Sequence, residues 1–233
     1  MKIALLGYGK MGKVIERIAL ERGHEIVLRK SSGDSFSGLE NADVAIDFSI
    51  PHAAVDNITT CINAGVPVIS GTTGWLTEYH KMVTLCDEKN AAFIYGSNFS
   101  LGVNLFFELN DYLARMMAKF NQYHASMEEI HHTQKLDKPS GTAISLANSI
   151  INHTAYNEWS IENPKDDNLF IEVKRMENVP GTHSIFYTSD VDTIEIKHTA
   201  HNRDGFAFGA VIAAEWIIGK TGVFTMKDVL GLE

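Results

Sequence analysis

Near its start the 233-residue chain reads Lys2-Ile3-Ala4-Leu5-Leu6-Gly7-Tyr8-Gly9-Lys10-Met11-Gly12. This stretch places a G-x-G-x-x-G pattern between an apolar run typical of a buried strand and the amphipathic stretch Met11–Arg22. In that context Gly7 allows a tight turn, Gly9 lets the backbone approach a pyrophosphate, and Gly12 allows close helix–strand packing. The pattern predicts a dinucleotide site formed by Gly7, Tyr8, Gly9, Lys10, Met11 and Gly12. A glycine-rich turn without a ligand is the alternative.

The first hundred residues continue as an alternation of strands and helices. After the opening strand, further strands are predicted at Glu25–Leu28, Asp43–Phe48, Val66–Ser70 and Ala91–Tyr95. Helices are predicted at Met11–Arg22, after Pro51 and at Glu78–Lys89. Strands that alternate with helices over short connections indicate a parallel sheet covered on both faces. We therefore expect a Rossmann-like nucleotide-binding domain.

The pattern changes after residue 100. A long helix is predicted at Leu101–Phe120, a strand at Tyr123–Ile130 and a second helix from about Ser140 to Asn152. Three strand-like runs, Phe170–Arg175, His183–Thr188 and Asp192–Lys197, follow and predict an antiparallel meander. A helix at Gly205–Gly219 ends the pattern. The predicted fold class is α/β, with a dinucleotide-binding domain at 1–103 and 205–233. An α+β domain for substrate binding and oligomerisation, with a mostly antiparallel sheet, is predicted at 104–204.

Composition and charge exclude several classes of function. The formal net charge of −9, from 29 acidic residues against 20 Lys and Arg, disfavours nucleic acid as a partner. Cys61 and Cys86 lie in apolar, helix-like stretches and are predicted to be reduced core thiols. The N-terminus opens with a strand pattern and no apolar run reaches about 18 residues, so we expect a cytoplasmic protein without a membrane partner.

The end of the second predicted strand bears on the choice of cofactor. It reads Arg29-Lys30-Ser31-Ser32, where an NAD-preferring fold usually has an acid for the ribose hydroxyls, and no acid follows until Asp34. Lys30, Ser31 and Ser32 are suited to a 2′-phosphate, with Arg29 as a further contributor. We therefore expect NADPH to be preferred and NADH to be accepted. A solvated, basic strand end is the alternative.

The segment Glu128–Thr142 concentrates polar groups after a predicted strand. It holds two adjacent histidines, a lysine four residues after His131, and Ser140-Gly141-Thr142 at the start of a helix. Hydroxyl and backbone N–H groups at that helix start suit a carboxylate. Lys135 supplies a charge and a proton, and a histidine can donate a proton during a reduction. Metal binding is disfavoured because no clear third ligand accompanies the histidines. A polar surface loop before a capped helix is the alternative.

From Glu129 to Ala143 this segment resembles the signature of the dihydrodipicolinate reductase family. The resemblance continues in segments spread over nearly the whole chain: Asp47-Phe48-Ser49, Gly71–Gly74, Ser97–Asn104, Phe206–Trp216 and Gly222–Leu230. It implies NAD(P)H-dependent reduction of 4-hydroxy-2,3,4,5-tetrahydrodipicolinate to tetrahydrodipicolinate, in the diaminopimelate route of lysine biosynthesis. It also implies a homotetramer, assembled through the strands at 170–197.

The resemblance further implies roles for individual residues. His131 is the expected proton donor and Lys135 a second catalytic donor. The dicarboxylate substrate is expected to bind to His132, Ser140, Gly141 and Thr142. The nicotinamide end of the cofactor cleft is expected to be lined by Gly71, Thr72, Thr73, Ser97, Asn98, Phe99 and Ser100.

The chain departs from the family pattern in three places. Its glycine loop is one residue shorter than in many members, the stretches around 30–42 and 155–170 are compact, and Gln134 replaces a common third histidine. A histidine-rich proton relay is therefore not expected. Two other functions stay open, namely a different Rossmann-fold amino-acid dehydrogenase and a catalytically silent nucleotide-sensing protein.

Overall fold

The computed structural model describes residues 1–162 and 167–232. The chain divides into two compact units, residues 1–101 with 204–233 and residues 102–203. The predicted domain boundaries lie within two residues of these. Residues 163–166 and Glu233, which the predicted domains include, lie outside the described residues. No helix within the described ranges is long and apolar enough to span a membrane.

The first unit contains a six-stranded parallel sheet. Numbered along the whole chain, its strands are β1 (Lys2–Leu6), β2 (Glu25–Lys30), β3 (Val44–Asp47), β4 (Val68–Ser70), β5 (Ala92–Tyr95) and β11 (Gly222–Phe224). Its helices are α1 (Lys10–Glu21), α2 (Pro51–Asn63), α3 (Tyr79–Glu88), α6 (Asp204–Ile217) and α7 (Met226–Leu230), with 3₁₀ turns at Leu39–Asn41 and Leu76–Glu78. The strand order is β11-β5-β4-β3-β1-β2. The strand order reverses at β1, and such a point is where α/β sheets bind ligands at the carboxyl ends of their strands.

Both faces of this sheet are buried, which explains the uninterrupted apolar runs of its strands. Ile3 and Leu5 of β1 pack into a core shared with α1 and α6, whereas Ala4 and Leu6 pack into a second core with α2 and α3. Successive side chains of a strand point to opposite faces, so a strand covered on both sides has few polar residues. The two cysteines are free and buried, as predicted.

Helix α6 makes an unusually close approach to the loop after β5. A Cβ atom built on Gly209 would overlap the carbonyl oxygen of Phe99 and lie 3.0 Å from Cδ1 of Leu101. The side-chain-free surface at Gly209 therefore lets α6 rest directly on the backbone of this loop. No pattern in the sequence singles out this glycine.

The second unit pairs two helices with a five-stranded mixed sheet. Its elements are α4 (Leu101–Met117), β6 (His124–His131), α5 (Gly141–His153), β7 (Glu158–Ser160), β8 (Asn168–Arg175), β9 (Gly181–Thr188) and β10 (Thr193–Ala200). The strand order is β10-β9-β6-β8-β7, and α4 and α5 share a buried core with one face of the sheet.

The predicted meander is wrong for its first strand. Strand β9 pairs antiparallel with β10 and β6, but β8 lies on the other side of β6 and runs parallel to it. The helix α5 between β6 and β8 returns the chain to the end of the sheet where β6 began, and such a crossover produces a parallel pair. The short elements β7, β11 and α7 were not predicted, because three to five residues carry too little periodicity.

Candidate active site

The glycine loop has the geometry that its pattern predicts. Gly7 has a φ of +95°, and a Cβ atom on it would lie 2.6 Å from the Cα atom of Ser49. A Cβ atom on Gly12 would lie 2.5 Å from the carbonyl oxygen of Gly7, whereas one on Gly9 would meet nothing within 4 Å. Gly7 and Gly12 therefore permit close packing, and Gly9 leaves its backbone open to an approaching group.

A cavity of about 440 Å³ lies beside this loop. Its lining comes from the ends of β1, β2 and β3 and the start of α2: Gly7, Tyr8, Gly9, Lys10, Met11, Lys30, Ser31, Ser32, Phe48, Ser49, Ile50, Ala53 and Asn57. The fold thus brings the glycine loop and the strand end at 30–32 to one cavity. Its size and its position at the point where the strand order reverses suit a nucleotide.

The charged groups at the end of β2 are not all available to a phosphate. The Arg29 guanidinium binds Glu16, with Nε 2.7 Å from Oε1, and the Tyr8 hydroxyl donates to the same carboxylate. Lys30 places its Nζ 4.6 Å from the ring centroid of Phe36. The structure therefore removes Arg29 from the expected phosphate contacts and leaves Lys30 at the cavity.

The turn after β2 places the acidic residue Asp34 beside this cavity-lining strand end. Asp34 accepts a hydrogen bond from the backbone N–H of Ser31, with a distance of 2.8 Å to Oδ2. That N–H belongs to the group of donors suited to a 2′-phosphate, and a neighbouring carboxylate repels a phosphate. Asp34, four positions after Lys30, therefore opposes the NADPH preference that the sequence predicts.

Asp47 organises the loops after β3 and β4. Its fully buried carboxylate accepts hydrogen bonds of 2.6–2.8 Å from the side chains of Ser49, Asn57, Ser70 and Thr72. Burial raises the pKa of Asp47, and these four hydrogen bonds oppose the rise. An acid at the end of an apolar strand is the sequence signal for such a role.

The expected nicotinamide-end residues follow β4 and β5, and none of them lines the cavity beside the glycine loop. Thr72, Phe99 and Ser100 are buried, so their side chains shape the loops from within. Thr73 and Ser97 are exposed. Gly71 lies against Phe48, whose ring a Cβ atom would overlap, and Asn98 accepts a hydrogen bond from the Ser100 N–H at 2.9 Å.

In the second unit, strand β6 carries a buried acid. Its residues alternate between inward and outward positions, and Glu129 occupies an inward position with no exposed surface. Glu129 Oε1 accepts hydrogen bonds from both terminal nitrogens of Arg175, each at 3.2 Å, and Oε2 accepts one from the backbone N–H of Ser140 at 3.0 Å. The guanidinium supplies the charge partner that a buried carboxylate needs.

Two buried histidines flank the same carboxylate. His131 Nδ1 lies 3.6 Å from Glu129 Oε2, and His183 Nε2 lies 3.8 Å from that oxygen. The two rings are 5.1 Å apart, and His183 Nε2 is 3.2 Å from the hydroxyl oxygen of Ser140. Burial lowers the pKa of both histidines. For His131, Glu129 opposes this effect, whereas Lys135 and Arg175 add to it.

Lys135 is held by the loop that contains it. Its Nζ lies 2.9 Å from Oδ2 of Asp137, and Arg175 donates hydrogen bonds to the carbonyl oxygens of Lys135 and Asp137. Burial would raise the pKa of Asp137, but the hydrogen bond with Lys135 and the lysine charge lower it below its usual value. Arg175 therefore fixes the loop and the buried acid together.

The expected substrate-binding residues differ in accessibility. Ser140 is buried, and as the N-cap of α5 it accepts a hydrogen bond from the Ala143 N–H at 3.2 Å. Gly141 is exposed and Thr142 is half-buried at the first turn of α5. His132 lines a second cavity of about 440 Å³ together with Arg203, and its buried Nδ1 atom has no hydrogen-bond partner in the described part of the chain. Gly141, Thr142 and His132 are thus better placed than Ser140 to contact a ligand.

Glu129, His131 and His183 also form the set of possible metal ligands that the sequence did not reveal. One ligand atom from each lies within 4.8 Å of the others, and the set includes His131 but not the adjacent His132. The set arises because Glu129 and His183 are paired across β6 and β9. The Arg175 guanidinium on the same carboxylate opposes a cation there, because like charges repel at this distance. The arrangement therefore suits proton exchange better than metal binding.

Glu129, Arg175 and His183 have no role that the sequence pattern predicts. A glutamate at an inward position of an alternating strand is the signal that could have identified Glu129. The other two lie 46 and 54 residues further along the chain, and strand register alone brings them close.

The comparisons with known proteins cover both units. Residues 1–99 match the family described as "Dihydrodipicolinate reductase, N-terminus", and residues 102–230 match "Dihydrodipicolinate reductase, C-terminus". A "4-hydroxy-tetrahydrodipicolinate reductase" of Christiangramia forsetii is 54% identical, over 99% of this chain and 98% of the relative. The protein of the same name from Archaeoglobus fulgidus is 34% identical, over 99% of this chain and 100% of the relative.

A solved structure shares the fold. The dipicolinate-bound dihydrodipicolinate reductase from Paenisporosarcina sp. TG-14 superposes with a TM-score of 0.75 at 22% identity, over 97% of both chains. Together with the two family matches and the full-length relatives, this places the chain in the dihydrodipicolinate reductase family, a family of oxidoreductases that use a pyridine nucleotide.

Proposed function

We propose that the protein reduces 4-hydroxy-2,3,4,5-tetrahydrodipicolinate to tetrahydrodipicolinate with NADPH or NADH, in the diaminopimelate route of lysine biosynthesis. The nicotinamide supplies a hydride, the substrate hydroxyl leaves as water, and the protein supplies the accompanying proton. The observation that carries this proposal is the buried pairing of His131 with Glu129 beside the first turn of α5. It combines a proton donor with a site for a carboxylate, the two functions that this reaction requires.

Each residue of the second unit then has a defined task. His131 donates the proton, and Lys135, oriented by Asp137, is a second donor. His132, Gly141 and Thr142 bind the carboxylates of the substrate, with the N-terminal end of α5 adding its dipole. Ser140 holds the start of α5 in place as its N-cap and does not itself bind the substrate, since its N–H and hydroxyl already have partners in the protein.

The coupled assay with the preceding synthase tests this function. Substrate is generated freshly, and oxidation of NADPH and of NADH is followed separately. Rapid oxidation that depends on the synthase product supports the proposal. Turnover of an amino acid or 2-oxo acid from a substrate panel instead would indicate a different dehydrogenase. Cofactor binding without any turnover would indicate a nucleotide-sensing protein.

For the cofactor, we propose that NADPH is preferred over NADH, with activity on both. Lys30 supports this preference, together with the hydroxyls of Ser31 and Ser32, since all three line the cavity beside the glycine loop. A charge-assisted hydrogen bond contributes about 1.5–3 kcal/mol, which corresponds to a tenfold or greater preference. The carboxylate of Asp34 at the Ser31 N–H reduces it.

Replacing Lys30 with Ala is expected to lower kcat/KM for NADPH about tenfold and to leave NADH kinetics nearly unchanged, because only NADPH carries the phosphate. Asp34→Asn is expected to raise the ratio of NADPH to NADH activity, because it removes a repelling charge. Lys13→Ala, an exposed position on α1, serves as the control. Equal losses with both cofactors in the Lys30 variant would assign that residue a structural role.

Replacing Thr142 with Val removes one hydroxyl from the start of α5 and preserves the shape of the side chain. The substrate carboxylate then lacks one hydrogen-bond donor, which is expected to weaken its binding free energy by roughly 1–3 kcal/mol. KM for the substrate and Ki for pyridine-2,6-dicarboxylate should both rise. Ser149→Ala, two turns further along α5, is the control for effects on the helix itself. Unchanged KM and Ki values in the Thr142 variant would place the carboxylate elsewhere.

We further propose a homotetramer that assembles through strands β8 to β10, in the cytoplasm. The exposed side chains of Val191 and Ile194, at the β9–β10 turn and the adjacent strand, support an interface there. The free thiols Cys61 and Cys86 suit a reducing compartment. Light scattering should give about four times the chain mass of 25.8 kDa.

A further inference from the structure

We propose that Glu129, held by Arg175, is the positioning residue of the proton donor: it accepts the Nδ1–H of His131 and so makes Nε2 the nitrogen that exchanges a proton with the substrate. This inference rests on the proposed function, since it takes His131 as the donor. Nothing in the family comparison assigns a role to Glu129 or Arg175.

The Nδ1 atom of His131 is buried and needs a hydrogen-bond partner. It has none among the residues that the structure describes, and the Oε2 atom of Glu129 lies 3.6 Å away. That distance exceeds a hydrogen bond, but the catalytic hydrogen bonds of an unliganded enzyme are often long and shorten when the substrate binds. A small rotation of the ring would complete this contact and would satisfy the buried nitrogen.

The carboxylate of Glu129 has a fixed orientation. Both terminal nitrogens of Arg175 bind Oε1, and the Ser140 N–H binds Oε2 from the other side. Oε2 therefore remains directed at the two histidines. A carboxylate that orients an imidazole and stabilises its protonated form is a general feature of acid–base sites. Here the same carboxylate also fixes the N-cap residue of α5, so proton donor and carboxylate site share one anchor.

Charged groups on β6, on β8 and in the loop after β6 surround His131. Glu129 on β6 and Asp137 in the following loop favour its protonated form, whereas Lys135 in that loop and Arg175 on β8 disfavour it. His183 on β9 packs edge to face against the ring, and burial lowers the pKa of His183 as well. Without the charge of Glu129, the cations Lys135 and Arg175 are opposed by Asp137 alone. The pKa of His131 should therefore fall further.

The sheet provides a matched control one residue away. Glu128 occupies the outward position before Glu129 and forms an ion pair with Lys174, the outward neighbour of Arg175. The two pairs therefore belong to the same two strands, but only the inward one contacts the histidine cluster. Glu128→Gln removes the same charge from the same strand as Glu129→Gln.

The experiment compares these two variants in a pH profile of kcat/KM between pH 3 and 9, a range that spans the pKa of His131, which burial lowers to about 4. For Glu129→Gln we expect at least a tenfold loss near pH 7.5, and an alkaline limb displaced to lower pH by about one unit, which is the displacement equivalent to a tenfold change in proton affinity. The loss should shrink as the pH falls, because His131 is then protonated again. Glu128→Gln should keep the wild-type profile. A wild-type profile for Glu129→Gln, or an equal loss at every pH, would overturn the proposal.

A second measurement needs no variant at position 129 and no substrate. In the wild-type protein, ¹⁵N NMR of the histidine rings, assigned with His131→Gln, reports which nitrogen of neutral His131 carries the proton. We expect the Nδ1–H form, and the Nε2–H form would overturn the proposal even if Glu129→Gln does not fold. Because this measurement is independent of turnover, it separates an error about Glu129 from an error about the reaction.

Discussion

Replacing His131 with Gln is expected to lower kcat by about 10²–10⁴-fold, the usual effect of losing a positioned general acid. Glutamine has nearly the size of the imidazole and keeps polar atoms in the buried site, but it cannot give up a proton. Steady-state kinetics with saturating NADPH and freshly generated substrate measure the effect. The Kd of NADPH should change little, because the cavity beside the glycine loop is lined by residues of the first unit.

His124→Gln provides the matched control for this variant. His124 is the first residue of β6 and is exposed, whereas His131 is the last residue of the same strand and is buried. A kcat close to the wild-type value is expected for the control. If His131→Gln also kept a kcat near the wild-type value, another residue, with Lys135 as the first candidate, would have to supply the proton.

Replacing Gly209 with Ala is expected to destabilise the protein by about 3 kcal/mol, the upper end for added volume in a packed interior. The new methyl group would lie 2.8 Å from the carbonyl carbon of Phe99 and overlap its oxygen, so α6 or the loop after β5 must move. The higher helix propensity of alanine offsets at most about 1 kcal/mol of this loss in the free energy of unfolding. Urea unfolding measures the loss, which should appear as a lower midpoint at unchanged slope.

Gly205→Ala tests whether this effect comes from the close contact or from the loss of a glycine as such. Gly205 lies one turn earlier in α6, and a Cβ atom there would lie 3.4 Å from the hydroxyl oxygen and 4.0 Å from the Cβ atom of Ser100. This variant should be as stable as the wild type or slightly more stable, since alanine favours the helix. Equal unfolding midpoints for both variants would show that the loop yields to the methyl group without cost.

Much of the first unit could be predicted because its information is local. The glycine pattern needs only its place between a strand and a helix to identify the turn, and the apolar runs of β1, β3, β4 and β5 identify strands that are buried on both faces. The segment from His131 to Thr142 could be identified for the same reason, since its donors follow one another along the chain.

Predictions that depended on pairing between distant segments succeeded less well. Phe170–Arg175 was recognised as a strand, but its pairing with β6 could not be read from its own residues. Arg29 was expected at the phosphate because of its charge, yet Glu16, thirteen residues earlier, takes its guanidinium. Asp34 lies beyond the end of β2, and only the folded turn shows that its carboxylate binds the Ser31 N–H.

The amino-acid sequence alone therefore determined the Rossmann-like half, the type of each long element and the polar segment from His131 to Thr142, because periodicity and motif act over a few residues. The tertiary structure was needed for the pairing of β6 with β8 and β9, and so for the meeting of His131, Glu129, Arg175 and His183. Their contact depends on register across three strands, where a shift of one residue would turn each side chain to the opposite face.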